Sequence, residues 1–564
     1  MSNRGKSEGT LERLLRSIRS AIGGREAIDP APAPAPERVP ATNQSAPAPS
    51  ASELINEGLQ RRQRVGAEAA RPYFEKAAQL EPNSPVPWFM LGNVASELGD
   101  LDTAVAHYTR ARDLNPSDHV IRYNLGLNQL WRGYIDASIE ELRAACDLAP
   151  SHLQAQSSHI MALHSSDRVS PEQIDVATRA WGARFSLEHP ASEVRIVADH
   201  PTGLRVGFIS GDFRAHSVAH FFEPLLDARD RGDFAYVLYG NSHIQDAVTQ
   251  RLREHADDWR DVWQLTDDAL IGLIHNDRID ILVDLSGHTA SNRLAVFARR
   301  AAPVQITYLG HPSSTGLATM DYRITDGITD PPLSADAWHS ERLLRMPDTQ
   351  WCFRPFGLPA VQGPCPAREN GYVTFGSFNN LTKASDTLLA CWAQILVELP
   401  TSHLRLTRVR SAQRGAEIVA LFERSGVSAA RIECLPYAND PPYGQQYEGV
   451  DIALDNYPYN GVTTTCETLY FGVPVVSMYG RNGVSRSGLS LLSALGLSEL
   501  SASTPERYVE IAVALGSDLP RLEQLRASLR TRFEHSSLRD EKRFAANFEE
   551  LLRTAWQEQV DLSK

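Results

Sequence analysis

Apolar residues along this chain change rhythm three times, and each rhythm predicts a different architecture. Between Thr10 and Ile22, residues Leu11, Leu14, Leu15, Ile18 and Ile22 recur at helical spacing with arginines among them, which predicts a short amphipathic helix. Residues 1–27 are read as an N-terminal amphipathic segment. The pattern then stops. From 28 to 52 alternating prolines, beginning Asp29-Pro-Ala-Pro-Ala-Pro-Ala-Pro36, remove backbone donors and favour extended chain, so this stretch reads as a linker.

From 53 to 165 the rhythm is helical and repeats itself. Pro82, Pro116 and Pro150 are 34 residues apart, and so are Leu80, Leu114 and Leu148. Ala77, Ala111 and Ala145 keep that register, as do Phe74, Tyr108 and Leu142, while Leu91-Gly92 recurs as Leu125-Gly126. A 34-residue period with small residues where helices cross and proline after the second helix is the tetratricopeptide pattern. Two full repeats with a partial one before them are expected, followed by a helix near Leu153–Leu163 and connecting helices over 166–200.

After Pro201 short apolar runs take over. Leu204–Ser210, Ile279–Leu285 and Val304–Leu309 read as strands, with helices near 246–256 and 266–276. A Pro-rich break follows, and a second series begins at Tyr372–Phe378 and continues at 402–406, 432–435, 452–454 and 474–478. Strands alternating with helices predict parallel sheets, and two such units face a cleft at the carboxyl ends of their strands. The expected fold class is α plus α/β: a tetratricopeptide superhelix, then Rossmann-like domains at 201–358 and 359–564. The second ends in a returning amphipathic helix near Leu538–Gln557.

Composition narrows the function. Against 56 basic residues stand 69 acidic ones, a net charge of −13, which disfavours a nucleic-acid partner. No run approaches the roughly 18 apolar residues of a membrane span. Six scattered cysteines without a C-x-x-C pair fit the reduced thiols of a cytoplasmic protein.

Three segments place unusual polar residues at strand ends. In Gly211-Asp-Phe-Arg-Ala-His-Ser-Val-Ala-His220, His216 and His220 share a helical face, but the glutamate and third ligand of a zinc site are missing, so no metal is expected. A histidine at a strand-to-helix turn suits proton transfer. Gly310-His-Pro-Ser-Ser-Thr-Gly316 offers backbone amides to an anion or a sugar hydroxyl. Asn456-Tyr-Pro-Tyr-Asn-Gly-Val-Thr-Thr-Thr-Cys-Glu467 puts free amides, hydroxyls and a positive helix end together, the parts of a phosphate site, and Lys383 supplies a cation nearby. The Asp-x-Asp of metal-dependent nucleotide-sugar enzymes occurs only as Asp100-Leu-Asp102, in a repeat turn. A diphosphate leaving group would then be neutralised by Lys383 and the helix start, with no cofactor.

Repeats followed in order by GDFRAHSVAHF, ILVDLSGHT, APVQITYLGHPSSTG, MDYRITD, FGSFNNLTK and LDNYPYNGVTTTCETLYFGVPVV resemble the protein O-GlcNAc transferase family, in particular its bacterial members, over about residues 60 to 555. The resemblance implies a GT-B fold and inverting, metal-independent transfer of N-acetylglucosamine from UDP-GlcNAc to serine or threonine hydroxyls. It implies acceptor proteins or peptides bound along the repeats. By motif position His216 matches the proposed catalytic base and Lys383 the lysine on the departing diphosphate. Asn380 sits at a nucleotide-contacting position, Thr463 and Thr464 match the phosphate-binding threonines, and Glu467 stands at the ribose position. Gly310, His311 and Pro312 match the loop beside the sugar. Val462 replaces a histidine of animal members, and the 436–443 loop lacks their lysine and histidine, with Asp440 and Tyr443 roughly in those places. The alternatives are a UDP-glucose protein glycosyltransferase and a repeat-based interaction protein whose transferase domain is inactive.

Overall fold

The computed structural model describes residues 49–192, 203–356, 364–436 and 443–562. The expected N-terminal helix, most of the linker and the 437–442 loop lie outside the described residues.

Among the described residues eight helices lead: α1 (Ala51–Arg64), α2 (Ala67–Leu80), α3 (Pro85–Glu97), α4 (Leu101–Leu114), α5 (His119–Arg132), α6 (Ile135–Leu148), α7 (Leu153–His164) and α8 (Pro171–Glu188). The first six form three hairpins in one register. A Cβ on Gly58 would lie 2.5 Å from the Phe74 ring, one on Gly92 2.6 Å from Tyr108, and one on Gly126 2.7 Å from Leu142. Only glycine lets the paired helices approach this far, and overpacking there costs about 1–3 kcal/mol. The array thus opens with a complete repeat rather than a partial one. Its first helix carries Glu57-Gly58 where the others carry Leu-Gly, which hides the column in the sequence.

Two parallel sheets follow. The first holds β1 (Leu204–Ser210), β2 (Phe234–Gly240), β3 (Asp258–Asp261), β4 (Ile281–Asp284), β5 (Val304–Thr307), β6 (Tyr322–Asp326) and β7 (Arg342–Met346), in the order β3-β2-β1-β4-β5-β6-β7. The second holds β8 (Thr374–Ser377), β9 (His403–Val409), β10 (Ile432–Pro436), β11 (Ile452–Leu454), β12 (Val475–Met478) and β13 (Ser501–Ala502), in the order β10-β9-β8-β11-β12-β13. Both are Rossmann-like, and with the repeats ahead of them they make a tetratricopeptide array on a GT-B fold.

Each sheet is covered on both faces, which is why its strands read as continuous apolar runs. On one face of the first sheet, Phe208, Phe222 and Tyr308 pack with Phe548 of the returning helix Glu541–Leu562. On the other, Ile160 of α7 and Trp181 and Phe185 of α8 share one cluster with Ile209, Val237 and Leu282. The last helices of the array therefore belong to the core of the first lobe; they are not a separate connector. A Cβ on Gly182 would lie 1.8 Å from the Gly316 carbonyl oxygen, so α8 crosses the loop after β5 backbone to backbone.

The lobes are tied directly. Ser490 Oγ donates to Asp326 Oδ2 at 2.8 Å, and Arg486 Nε donates to the Ile328 carbonyl at 2.8 Å. The array also reaches the second lobe through Asp102, whose Oδ1 accepts from Arg132 Nε at 2.7 Å and from Ser411 Oγ at 2.6 Å. Among the described residues no helix is long and apolar enough to cross a membrane.

Candidate active site

In parallel sheets of this kind ligands bind where strand order reverses, because the loops on either side lead away from each other and leave a crevice. The reversals fall between β1 and β4 in the first lobe and between β8 and β11 in the second. The two catalytic candidates and the proposed phosphate site follow three of those four strands.

His216 closes the loop after β1 and caps the helix Ser217–Ala228: Nδ1 accepts from the Val218 amide at 3.3 Å. Asp212 Oδ1 lies 3.6 Å from the same nitrogen, and the side chain is 39% exposed. Partial loss of hydration and Arg214 hold the imidazole below its ordinary pKa, with Asp212 opposing them. While Nδ1 accepts, the neutral ring carries its proton on Nε2. Turning Nδ1–H toward Asp212 would leave Nε2 free to take a proton. His220, by contrast, donates from Nδ1 to the Arg354 carbonyl at 2.9 Å and lies flat on Phe353, a packing role.

Lys383 ends the short turn Leu381–Lys383 after β8, which Asn380 caps by accepting from the Thr382 amide at 3.2 Å. Asn380 also accepts from Asn456 Nδ2 at its carbonyl, 2.8 Å, which joins the loops on the two sides of the reversal. Burial first, and the neighbouring Arg408 charge, pull the lysine down to about 8; Asp455 opposes them.

The helix Thr463–Tyr470 begins after the β11 loop with no side chain capping it, and Thr463 and Thr464 are half-exposed at its start. Glu467 is buried one turn on. Asp455 braces the loop: Oδ1 accepts from the amides of Asn456 and Gly461, both at 2.9 Å, and from Asn379 Nδ2 at 3.1 Å, while Oδ2 accepts from Ser477 Oγ at 2.9 Å. Asp284 does the same after β4, accepting from the amides of Ser286 and Gly287 and from Thr307 Oγ1. Burial pushes both carboxyls up to about 6.

The loop after β5 is divided. Gly310 is half-exposed and presses on the end of β4, where a Cβ would sit 2.1 Å from the Leu285 carbonyl oxygen. Pro312 is buried, its carbonyl beneath Gly483 of the second lobe. The His311 ring is buried and turns toward α7, 4.9 Å from His164 and 5.9 Å from His288 between centroids. In this cluster His288 donates from Nε2 to the Thr315 carbonyl at 3.0 Å, which leaves Nδ1 to accept from Ser157 at 3.2 Å.

Sequence reasoning missed the bracing aspartates, although each ends an apolar strand run, Ile281-Leu-Val-Asp284 and Ile452-Ala-Leu-Asp455. It also missed Arg408. Pairing of β9 with β10 slips by one residue between Leu406 and Val409, and Arg408 takes a left-handed backbone with φ 59°. Such bulges re-aim side chains next to active sites. No motif in the sequence marks this one.

Residues 186–353 and 367–548 match the family model Glycosyl transferase family 41, and residues 73–106 match a tetratricopeptide repeat model. A Petunia hybrida protein described as probable UDP-N-acetylglucosamine–peptide N-acetylglucosaminyltransferase SPINDLY is 37% identical over 423 residues, 73% of this chain and 45% of the relative. The Caenorhabditis elegans UDP-N-acetylglucosamine–peptide N-acetylglucosaminyltransferase is 25% identical over 519 residues, 70% of this chain and 44% of the relative. The chain thus spans about half the length of the curated relatives it matches. The solved structure of a mutant Thermobaculum terrenum O-GlcNAc transferase superposes with a TM-score of 0.82 at 34% identity, covering 91% of this chain and 98% of that one. With the family model matched across both lobes, the chain belongs to glycosyl transferase family 41.

Proposed function

We propose that the protein is an inverting, metal-independent glycosyltransferase that moves N-acetylglucosamine from UDP-GlcNAc to serine and threonine hydroxyls of proteins. The observation that carries this reading is the convergence at the second lobe's strand reversal of a half-buried lysine and an uncapped helix start bearing two threonines, which together match a diphosphate. Lys383 and the helix amides neutralise charge as UDP departs, so the counter-charge comes from the protein itself. Thr463 and Thr464 hold phosphate oxygens, Asn380 and Glu467 the nucleoside side, and Gly310 the sugar, with His311 and Pro312 shaping that loop from behind. His216 accepts the acceptor's proton once Nδ1 turns to Asp212. Acceptor proteins lie along the repeats, in the cytoplasm.

Calorimetric titration with UDP, UDP-GlcNAc and UDP-glucose in EDTA tests this, together with mass spectrometry of a protein acceptor. Metal-free UDP binding, preference for UDP-GlcNAc and a hexosamine mass added to serine or threonine are expected. Preference for UDP-glucose would move the reading to a hexosyltransferase, and no uridine nucleotide binding would leave a scaffold.

A further inference from the structure

Lys383 is held in an unusual way. Its Nζ stands 4.0 Å from the centroid of the buried Tyr459 ring, and among the described residues it forms no ion pair. The carboxylate whose field reaches it, Asp455, is occupied by the amides of Asn456 and Gly461, by Asn379 and by Ser477. A carboxylate partner would steady the lysine but would also cancel its charge and repel an incoming diphosphate. An aromatic face steadies a cation through its quadrupole and adds no net negative charge.

We propose that Tyr459 is a positioning residue for Lys383, its ring face holding the ammonium ion charged and in place until the donor's diphosphate arrives. This rests on the donor-site reading above. Burial and two charged groups besides the ring act on the lysine. Burial and the Arg408 guanidinium at the β9 bulge favour the neutral amine, while Asp455 favours the ammonium ion. The Tyr459 phenol stays protonated because burial raises its pKa far above neutrality. The ring therefore acts through its face, and no hydroxyl charge enters.

The test is UDP affinity from pH 6.5 to 10 and donor turnover on the full chain, for wild type, Tyr459→Phe, Tyr459→Leu and Lys383→Ala. Wild-type affinity should weaken above about pH 8. In Tyr459→Leu that limb should move down by about one pH unit, as expected for loss of a cation–π contact, and kcat should fall at least ten-fold. Tyr459→Phe keeps the face and should keep the wild-type limb. If Tyr459→Leu does not fold, Tyr459→Met takes its place with the same expected shift. An unshifted limb in the aliphatic variant, or a limb in Tyr459→Phe displaced as far as in Tyr459→Leu, overturns the proposal. Wild-type binding that survives in Lys383→Ala at every pH sinks the donor-site reading itself.

Discussion

His164 is a place where acid should loosen the joint between repeats and first lobe. It is buried at the end of α7, neither ring nitrogen has a partner among the described residues, and it faces His311 at 4.9 Å, with His288 and His339 also acting on it. Burial pulls His164 down to about 3 and His288 to about 4, from 6.5. Because the folded pKa lies below the unfolded one, the unfolded chain binds the extra proton. Stability from these groups is complete above about pH 6.5 and falls as pH drops below it. At pH 5 an unfolded histidine gains about 1.5 pKa units of protonation free energy that the folded one does not, roughly 2 kcal/mol each.

Hydrogen exchange of the α7 and α8 amides, corrected for intrinsic rates, reads the opening free energy of this joint. Between pH 7.5 and 5.0 it should drop by about 2 kcal/mol less in His164→Leu than in wild type, about a thirty-fold difference in protection. The raised carboxyls Asp284 and Asp455 act with the opposite sign, losing stability as pH rises, but both proteins share them, so the difference isolates the imidazole. Equal pH dependence in the two proteins would refute the argument.

Lys383→Ala should lower kcat about 10²–10³-fold with the fold intact, as removal of one preorganised charge stabiliser does; near-normal steady-state donor hydrolysis would reject the lysine's role. Gly182→Ala cannot fit against the Gly316 carbonyl, so it should cost at least about 1–3 kcal/mol in thermal unfolding and disturb the loop after β5, while Ala183→Gly serves as a neighbouring control. Removing residues 50–148 should abolish transfer to proteins and slow donor hydrolysis far less, since the donor-site residues lie in the lobes and only the Asp102 brace to the second lobe is lost. Extending the cut through 165 should also unfold the first lobe, because Ile160 goes with it, and circular dichroism separates the two outcomes.

What the sequence revealed was whatever depends on period and local chemistry. The 34-residue register and the strands at 204–210 and 452–454 stand where the pattern puts them. Of the strands that escaped notice, β2 is an ordinary apolar run, while β3 and β6 have physical reasons for it. β3 is a four-residue polar edge strand, and β6 reads Tyr322-Arg-Ile-Thr-Asp326, too polar for a core strand. Its polarity is satisfied internally: Arg323 and Thr325 both bond Asp330, and Asp326 accepts from Ser490 of the other lobe. Partners remote in sequence leave no local trace. The same holds for the site, where Lys383 and Thr463 were visible as motif residues but Tyr459 beneath the lysine was not.

The array is better described as a strut than as an appendage. Its last two helices are cemented into the first lobe by Ile160, Trp181 and Phe185, while its middle turn grips the second lobe through Asp102, Arg132 and Ser411. Arg481 of the second lobe adds a bond to Glu172 on α8 at 2.5 Å. A body bonded to both lobes constrains the crevice between them, and the wiring continues inward, since Ser157 of α7 reaches His288, and His288 the Thr315 carbonyl in the loop after β5. On the proposed reading, a substrate segment held by the repeats would be registered against the same helices that bond to the lobes. The position of an acceptor hydroxyl relative to the donor would then be set by the array itself, which is how proximity and orientation lower a barrier without any further group acting on the reacting atoms.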